Sequence, residues 1–410
     1  MNDRGNALGT QDPSDLRPSA THRQVSRAPS LHLLAVSHPC ITAINQDFFA
    51  HVEAQTGWRV TIVLPLSWRT EYGKHLEPTR WPRFQGRLLP LPVRLAGSIP
   101  LHFYTARLGR VFDRERPDAI YVHNEPYAVA TYEAFRASRG LDDVPLGFYS
   151  AQNLLKRYPW PFSAWEQYVY THASFAFPVT SGVAGVLEAK GYRGRSEVLP
   201  LTIDTDFYRP DGSDEEKRSG RDALTVGFVG RIAPGKGVET LLLAFSLLPA
   251  DTVRAVIVGD GPEAGALKLR ASRMGLDRRL TWTGYVAHEK MPRLYRSMDV
   301  LAVPSRSLPR WQEQFGRVVV EALACGVPVV TSDSGELPRL VSATGGGWTF
   351  PEGDALALAA LLGKLAHCPE MLAGPGREGR RAVVKQFAIK AAAARFAGVV
   401  EAAVGRMARD

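Results

Sequence analysis

The sequence predicts an α/β protein of two Rossmann-like, doubly wound parallel-sheet domains, and three observations carry that prediction. At 410 residues the chain is longer than one hydrophobic core usually supports. In both halves short apolar runs alternate with helical patterns, the order that builds a parallel sheet with helices on its faces. Polar or glycine-bearing turns follow the runs, so groups able to bind a ligand fall beyond the carboxyl ends of the strands.

Residues 1–29, rich in Ser, Asp, Arg, Pro and Gly without apolar periodicity, are expected to be disordered. A first domain is expected over 30–205. It opens with a strand over 31–36, LHLLAV, followed by a helix over 41–55 and a strand over 59–64. The run DAIYV at 118–122 is a strand ending in His123, Asn124 and Glu125, which therefore stand where an acceptor could bind. The strand LGFYS at 146–150 leads likewise to Gln152 and Asn153, which either meet a ligand or cap their own loop. FAFPVT at 175–180 is a strand, and Ser181 is placed as the N-cap of a helix over 183–190. Residues 206–220, with their Gly, Asp, Ser and Glu, form a linker.

A second domain is expected over 221–385. Its first strand, LTVGFV, runs into the glycine-rich turn GRIAPGKG at 230–237 and a helix over 238–248. Such a turn presents backbone N–H groups at a helix N-terminus, and Arg231 and Lys236 add full charges, so it should bind a phosphate. It misses the P-loop pattern at Gly237, where a hydroxyl side chain would hold magnesium. A strand over 254–258 reaches Gly259, Asp260, Gly261 and Pro262, a helix covers 267–274, and a strand over 280–284 ends before Tyr285 and Val286. After a helix over 291–298 and a strand over 300–304, a polar loop leads to a helix over 317–324 and an apolar strand over 327–331, with Cys325 and Gly326 as the stop signal. Glu313 stands before that helix and Glu321 two turns along it, roughly 12 Å further at 1.5 Å per residue. That is too far for a paired acid and base, and suits gripping two groups of one extended ligand. Gly316, close behind Glu313, lets backbone approach that ligand. The Ala-rich segment 387–407 has helical spacing.

Composition bounds the function. The 45% hydrophobic and 22% charged content is that of an ordinary globular protein. Cys40, Cys325 and Cys368 form no CxxC pair, which argues against a disulfide framework or zinc site and fits a reducing cytoplasm. No apolar run has the length of a membrane span or the pattern of a signal peptide, so the protein is expected to stay in the cytoplasm. A net charge of +9 points to nucleic acid, an anionic membrane or anionic small substrates. Between Arg69 and Arg116, ten Arg or Lys stand against four Asp or Glu, interleaved with Trp68, Tyr72, Trp81, Phe84, Leu88, Leu89 and Leu91. This mixture suits either an interfacial patch on the inner membrane face or a solvated basic loop. No nucleic-acid motif accompanies the charge.

The E-x7-E spacing of Glu313 and Glu321, followed by ACGVPVV, resembles the donor-site signature of the retaining GT-B glycosyltransferases, in particular glycosyltransferase family 4 (group 1). GRxxxxKG and GDGP occur in the same order, so the likeness covers most of 31–405 in layout and is specific over 224–340. It implies a nucleotide-sugar donor on the second domain, an acceptor on the first, and a last helix, 386–410, that crosses back to the first domain. Glu313 would then meet the sugar with the backbone of Phe315 and Gly316. Glu321 would meet the ribose, and Gly230, Arg231 and Lys236 the diphosphate. Gly259 and Asp260 would form the next turn of the donor site, and Tyr285 and Val286 would face the base. His38, in the first strand-to-helix loop, would face the cleft. The family often carries glycines in that loop and a His after the strand that here ends at Ser150; this chain has neither. Asp204-Thr205-Asp206 spells a metal motif of the other major glycosyltransferase fold, but the resemblance implies no metal and no cofactor beyond the nucleotide sugar as co-substrate. Because the basic, aromatic patch suits a lipid-linked acceptor at the inner membrane face, the expected acceptor is an envelope polysaccharide precursor or glycolipid, with a small-molecule natural product as the alternative. A sugar-nucleotide 2-epimerase or a non-catalytic nucleotide-sugar-binding partner are the rival classes.

Overall fold

The computed structural model describes residues 30–70, 75–141, 143–211 and 223–407. The expected disordered segment 1–29 and the linker residues 212–220 lie outside the described residues. The first half contributes β1 (His32–Val36), β2 (Arg59–Pro65), β3 (Trp68–Arg69), β4 (His75–Leu76), β5 (Arg87–Leu91), β6 (Val93–Arg94), β7 (Phe103–Tyr104), β8 (Ala119–Val122), β9 (Leu146–Ser150), β10 (Phe175–Pro178) and β11 (Arg195–Ser196). The second contributes β12 (Leu224–Val229), β13 (Val253–Val258), β14 (Leu280–Gly284), β15 (Val300–Val303), β16 (Val329–Ser332) and β17 (Gly347–Phe350).

These strands form two parallel sheets of Rossmann type, in the orders β11-β10-β9-β8-β1-β2-β5 and β14-β13-β12-β15-β16-β17. All five residues of β1 and all four of β8 and β15 are buried, as strands covered on both faces must be. Each order reverses once, between β1 and β8 and between β12 and β15. Ligands of open parallel sheets bind where the order reverses. In the second sheet that point is flanked by the turn after β12 and the loop after β15, the two stretches that hold Lys236 and Glu313.

The chain crosses between the domains twice, and the two crossings are paired: Ile203 N–H donates to Phe387 O at 3.0 Å, and Ile389 N–H to Ile203 O at 3.0 Å. The last helix, Ile389–Met407, then buries Ala392, Ala393, Phe396, Ala397, Val400 and Ala403 in the core of the first domain. Among the described residues no single helix is long and apolar enough to cross a membrane.

Two local expectations are corrected. The helix expected over 41–55 is an α-helix only over Asp47–Thr56; Pro39–Ile41 and Ala43–Gln46 are 3-10 turns. Side chains compete there for the backbone acceptors, Gln46 Nε2 donating to Cys40 O at 2.8 Å and Asn45 Nδ2 to Pro39 O at 2.7 Å. The N-cap of Ser181–Ala189 is Thr180, not Ser181: Thr180 has the extended backbone a cap needs, and its hydroxyl accepts from Val183 N–H at 3.2 Å.

Candidate active site

The turn after β12 is shaped by glycines at positive φ, where side chains are disfavoured. Gly237 caps the helix Val238–Ser246 at φ +70°, and a Cβ on it would lie 1.7 Å from Pro304 O. A Cβ on Gly259 would lie 1.9 Å from Gly230 O, so the turns after β12 and β13 touch through bare backbone. Ile232 N–H donates to Asp260 O at 2.9 Å, and Asp260 Oδ1 accepts from Gly261 N–H at 2.8 Å. The first N–H groups of the Val238–Ser246 helix have no intrahelical acceptor and carry the positive end of its dipole. Lys236 directly precedes the capping Gly237 and Arg231 opens the same turn; both are half-buried.

Lys236 and Glu313, 77 positions apart, meet here. Lys236 Nζ lies 2.7 Å from Glu313 Oε2 and 4.9 Å above the Trp311 ring, and Ser305 Oγ donates to the same Oε2 at 3.0 Å. The Glu313 carbonyl accepts from Glu336 N–H at 3.1 Å and from Asn153 Nδ2 at 3.0 Å. Asn153 belongs to the first domain, so Glu313 is held from both sides of the cleft.

Glu321 is built separately. It lies buried on the helix Arg317–Ala324, which Gly316 caps at φ +82°. Its Oε2 accepts from the Tyr295 hydroxyl at 2.6 Å and its Oε1 from Arg317 Nε at 3.1 Å. Among the described residues the two carboxylates have different hydrogen-bond partners, Lys236 and Ser305 for Glu313 and Tyr295 and Arg317 for Glu321. Phe315 turns its ring into the core against Phe387, Tyr285 is 76% exposed, and Val286 is half-buried.

The first-domain candidates do not form one cluster. His123 lines a cavity between the domains with Asn45, Tyr149, Tyr208, His288 and Arg317. Its Nδ1 is 3.2 Å from Ser37 Oγ, and burial pushes its pKa down to about 4. His38 stacks on Trp68 and meets His102 edge-on at centroid distances of 5.0 and 5.1 Å; burial holds it neutral, well below the usual His range. Glu125 is buried, accepts from Ser150 Oγ and Ala151 N–H at 2.8 Å each, and is pushed up to about 7 by desolvation. Gln152 caps its own loop, its Oε1 accepting from Leu154 N–H at 3.0 Å, and donates to the Tyr158 hydroxyl at 3.2 Å. Asp204 accepts from the backbone N–H groups of Asp206 and Phe207 and pairs with Arg83 at 2.9 Å, while Asp206 pairs with Lys390 at 3.0 Å. These aspartates fasten the crossing segment through different cations.

Sequence reasoning missed Tyr295, Ser305 and Trp311. Only Trp311 carried a signal, as an aromatic within the polar loop; the others are contacts that only the folded chain creates.

The fold is GT-B. Anabaena Alr3699/HepE in complex with UDP superposes with a TM-score of 0.70 at 20% identity, covering 91% of this chain and 100% of that one. Sucrose-phosphate synthase from Thermosynechococcus elongatus superposes with a TM-score of 0.69 at 20% identity, covering 90% and 98%. At such identities the likeness is one of fold. Residues 212–382 match the family model of glycosyl transferases group 1. A GDP-mannose-dependent alpha-(1-6)-phosphatidylinositol monomannoside mannosyltransferase of Mycobacterium tuberculosis is 32% identical over 209 residues, 49% of this chain and 54% of that protein. A D-inositol 3-phosphate glycosyltransferase of Mycolicibacterium smegmatis is 36% identical over 159 residues, 37% of this chain and 35% of the relative. The chain thus spans about half, or less, of the length of these curated relatives.

Proposed function

We propose that the chain is a retaining glycosyltransferase that moves a sugar from a UDP- or GDP-linked donor, held by the second GT-B domain, to an acceptor held by the first. The observation that carries this reading is the ion pair of Lys236 with Glu313. It joins a phosphate-binding turn to a carboxylate able to grip sugar hydroxyls, at the point where the strand order of the second sheet reverses. Glu321, braced by Tyr295 and Arg317, takes the ribose, while Tyr285 and Val286 face the base.

Catalysis on this reading is electrostatic. As the bond from the anomeric carbon to the diphosphate oxygen breaks, negative charge grows on the phosphates. Lys236, Arg231 and the N-terminus of Val238–Ser246 stabilise that charge without reorganising. The acceptor hydroxyl attacks from the leaving-group face, and the departing phosphate oxygen takes its proton. No protein nucleophile and no metal is part of the proposal.

The acceptor we propose is a lipid-linked envelope precursor or glycolipid at an anionic membrane surface. Leu95, Ile99, Leu101 and Phe103 are exposed on the first domain, within the segment of excess positive charge and beside Arg94 and Arg107. One of the relatives is named for a phosphatidylinositol mannoside acceptor, which supports the same reading.

The test is a thermal-shift screen against UDP, GDP, ADP and TDP and their sugar conjugates, followed by a transfer assay with the donor it selects. A ligand at a hundred times its Kd stabilises the native state by about 2.7 kcal/mol. Lys236→Ala and Glu313→Gln are expected to fold normally and to lower kcat by roughly 10²–10³ each. Binding without turnover would make the chain a nucleotide-sugar-binding partner, and full activity in either variant would remove the assignment.

A further inference from the structure

The loop that follows β9 does more than border the acceptor side. Its start is anchored within the first domain, where the buried Glu125 carboxylate accepts both Ser150 Oγ–H and Ala151 N–H. From that anchor it makes four hydrogen bonds across the cleft. Asn153 Nδ2 donates to Glu313 O at 3.0 Å, Gln312 Nε2 to Asn153 O at 3.3 Å, Gln314 Nε2 to Ala151 O at 3.0 Å, and Lys156 Nζ to Arg310 O at 3.0 Å. Every receiving or donating group on the far side lies in residues 310–314, the loop that carries Glu313.

We propose that residues 150–156 form an interdomain strap, and that Asn153 is a positioning residue which sets Glu313 for transfer when the domains are closed on each other. The inference rests on the proposed role of Glu313. The physical argument is one of degrees of freedom. Glu336 N–H fixes the Glu313 carbonyl from within the second domain, where a Cβ on Gly335 would lie 2.1 Å from that oxygen, so the loop has a tight floor. Its other side faces the first domain, and there the strap supplies the hydrogen bonds. Removing the Asn153 amide takes away the strap bond made to Glu313 itself and leaves Gln312, Gln314 and Arg310 to tie the rest of the loop, while Lys236, Arg231 and Glu321 keep their places on the second domain. Loss of the strap should therefore cost orientation of the sugar and spare affinity for the nucleotide.

The experiment uses full-length Asn153→Ala and Asn153→Asp, the second keeping the shape of the side chain but losing its N–H donor. Both are expected to lower kcat about ten- to a hundredfold, as small misplacements of a reacting group do. The Kd for the selected nucleoside diphosphate should stay within about twofold of the parent value, because that ligand carries no sugar for Glu313 to grip. Amide hydrogen exchange over 312–316 should speed up in both variants and stay unchanged over 230–240. An unchanged kcat, or unchanged exchange over 312–316 in both variants, overturns the strap. If the parent protein transfers no sugar from any donor, the functional reading falls, and the exchange measurement alone decides whether the strap orders the loop.

Discussion

Tyr295 places its hydroxyl 2.6 Å from Glu321 Oε2, deep in the second domain, and leaves Arg317 as the other partner of that carboxylate. Hydrogen bonds to charged groups contribute about 1.5–3 kcal/mol. Tyr295→Phe should therefore lower stability by about that amount and, by loosening Glu321, weaken binding of the nucleoside diphosphate, with kcat at saturating donor little changed. Calorimetric titration of the variant checks this, and an unaltered Kd would separate Glu321 from the ribose. Titration of the first-domain groups gives a second test at this scale. His123, pushed down to about 4 by burial, contributes stability that is present above its ordinary value of 6.5 and lost as pH falls through about 4. Glu125, pushed up to about 7, works the other way: its contribution is full below the ordinary 4.5 and is lost as pH rises through about 7. Urea melts across pH 4 to 7.5 should show His123→Asn less sensitive to acid than the parent, and Glu125→Gln less sensitive to the rise towards neutrality. Parallel profiles for parent and variant would show that the burial of that group does not govern its titration.

Among the elements, the turn after β12 is the most constrained. Gly237→Ala forces a Cβ into the left-handed region at φ +70° and to 1.7 Å from the Pro304 carbonyl. Strain and overpacking together should cost roughly 2–6 kcal/mol, read as a lower urea midpoint with an unchanged slope. A loss below about 0.5 kcal/mol, the range of an ordinary surface change, would mean that the turn yields easily. This element was legible in the sequence because its determinants are local: glycines for the turn, cations for the charge, and a helix start directly behind. The parallel sheets were legible for a similar reason, since strands buried on both faces read as unbroken apolar runs such as those of β1 and β15. The 3-10 turns after β1 were not legible, because Gln46 also donates to Thr79 O, 33 positions away, and nothing in 41–55 reports that partner. Asn153 is the extreme case. Its contact with Glu313 spans 160 positions, so spacing could place it on the acceptor side of the cleft but could not show what it would touch.

On the scale of the whole molecule, the last helix ties the end of the chain to the core of the first domain. Phe396 is fully buried, stacks on Phe177 at 4.8 Å, and meets Tyr121 and Phe48 edge-on at 5.1 and 5.3 Å. Those three side chains belong to β10, β8 and the helix Asp47–Thr56, so residues from the far end of the chain complete the core of the first domain. The paired crossings at Ile203 and Ile389 fix where the chain enters that helix. Phe396→Ala should cost about 3–5 kcal/mol, the usual range for deleting a buried aromatic ring. Because the ring packs on the first domain and the phosphate-binding turn lies on the second, the loss should fall unevenly. Amide hydrogen exchange of β8 and β10 should report an earlier transition, while a nucleoside diphosphate still raises the transition reported by β12 and β15 in the second domain. If the two probes instead shift together, by equal amounts with and without nucleotide, the domains unfold as one cooperative unit and the helix sets the stability of the donor site as well. A variant whose first-domain transition does not move would show that the ring is not needed to complete that core.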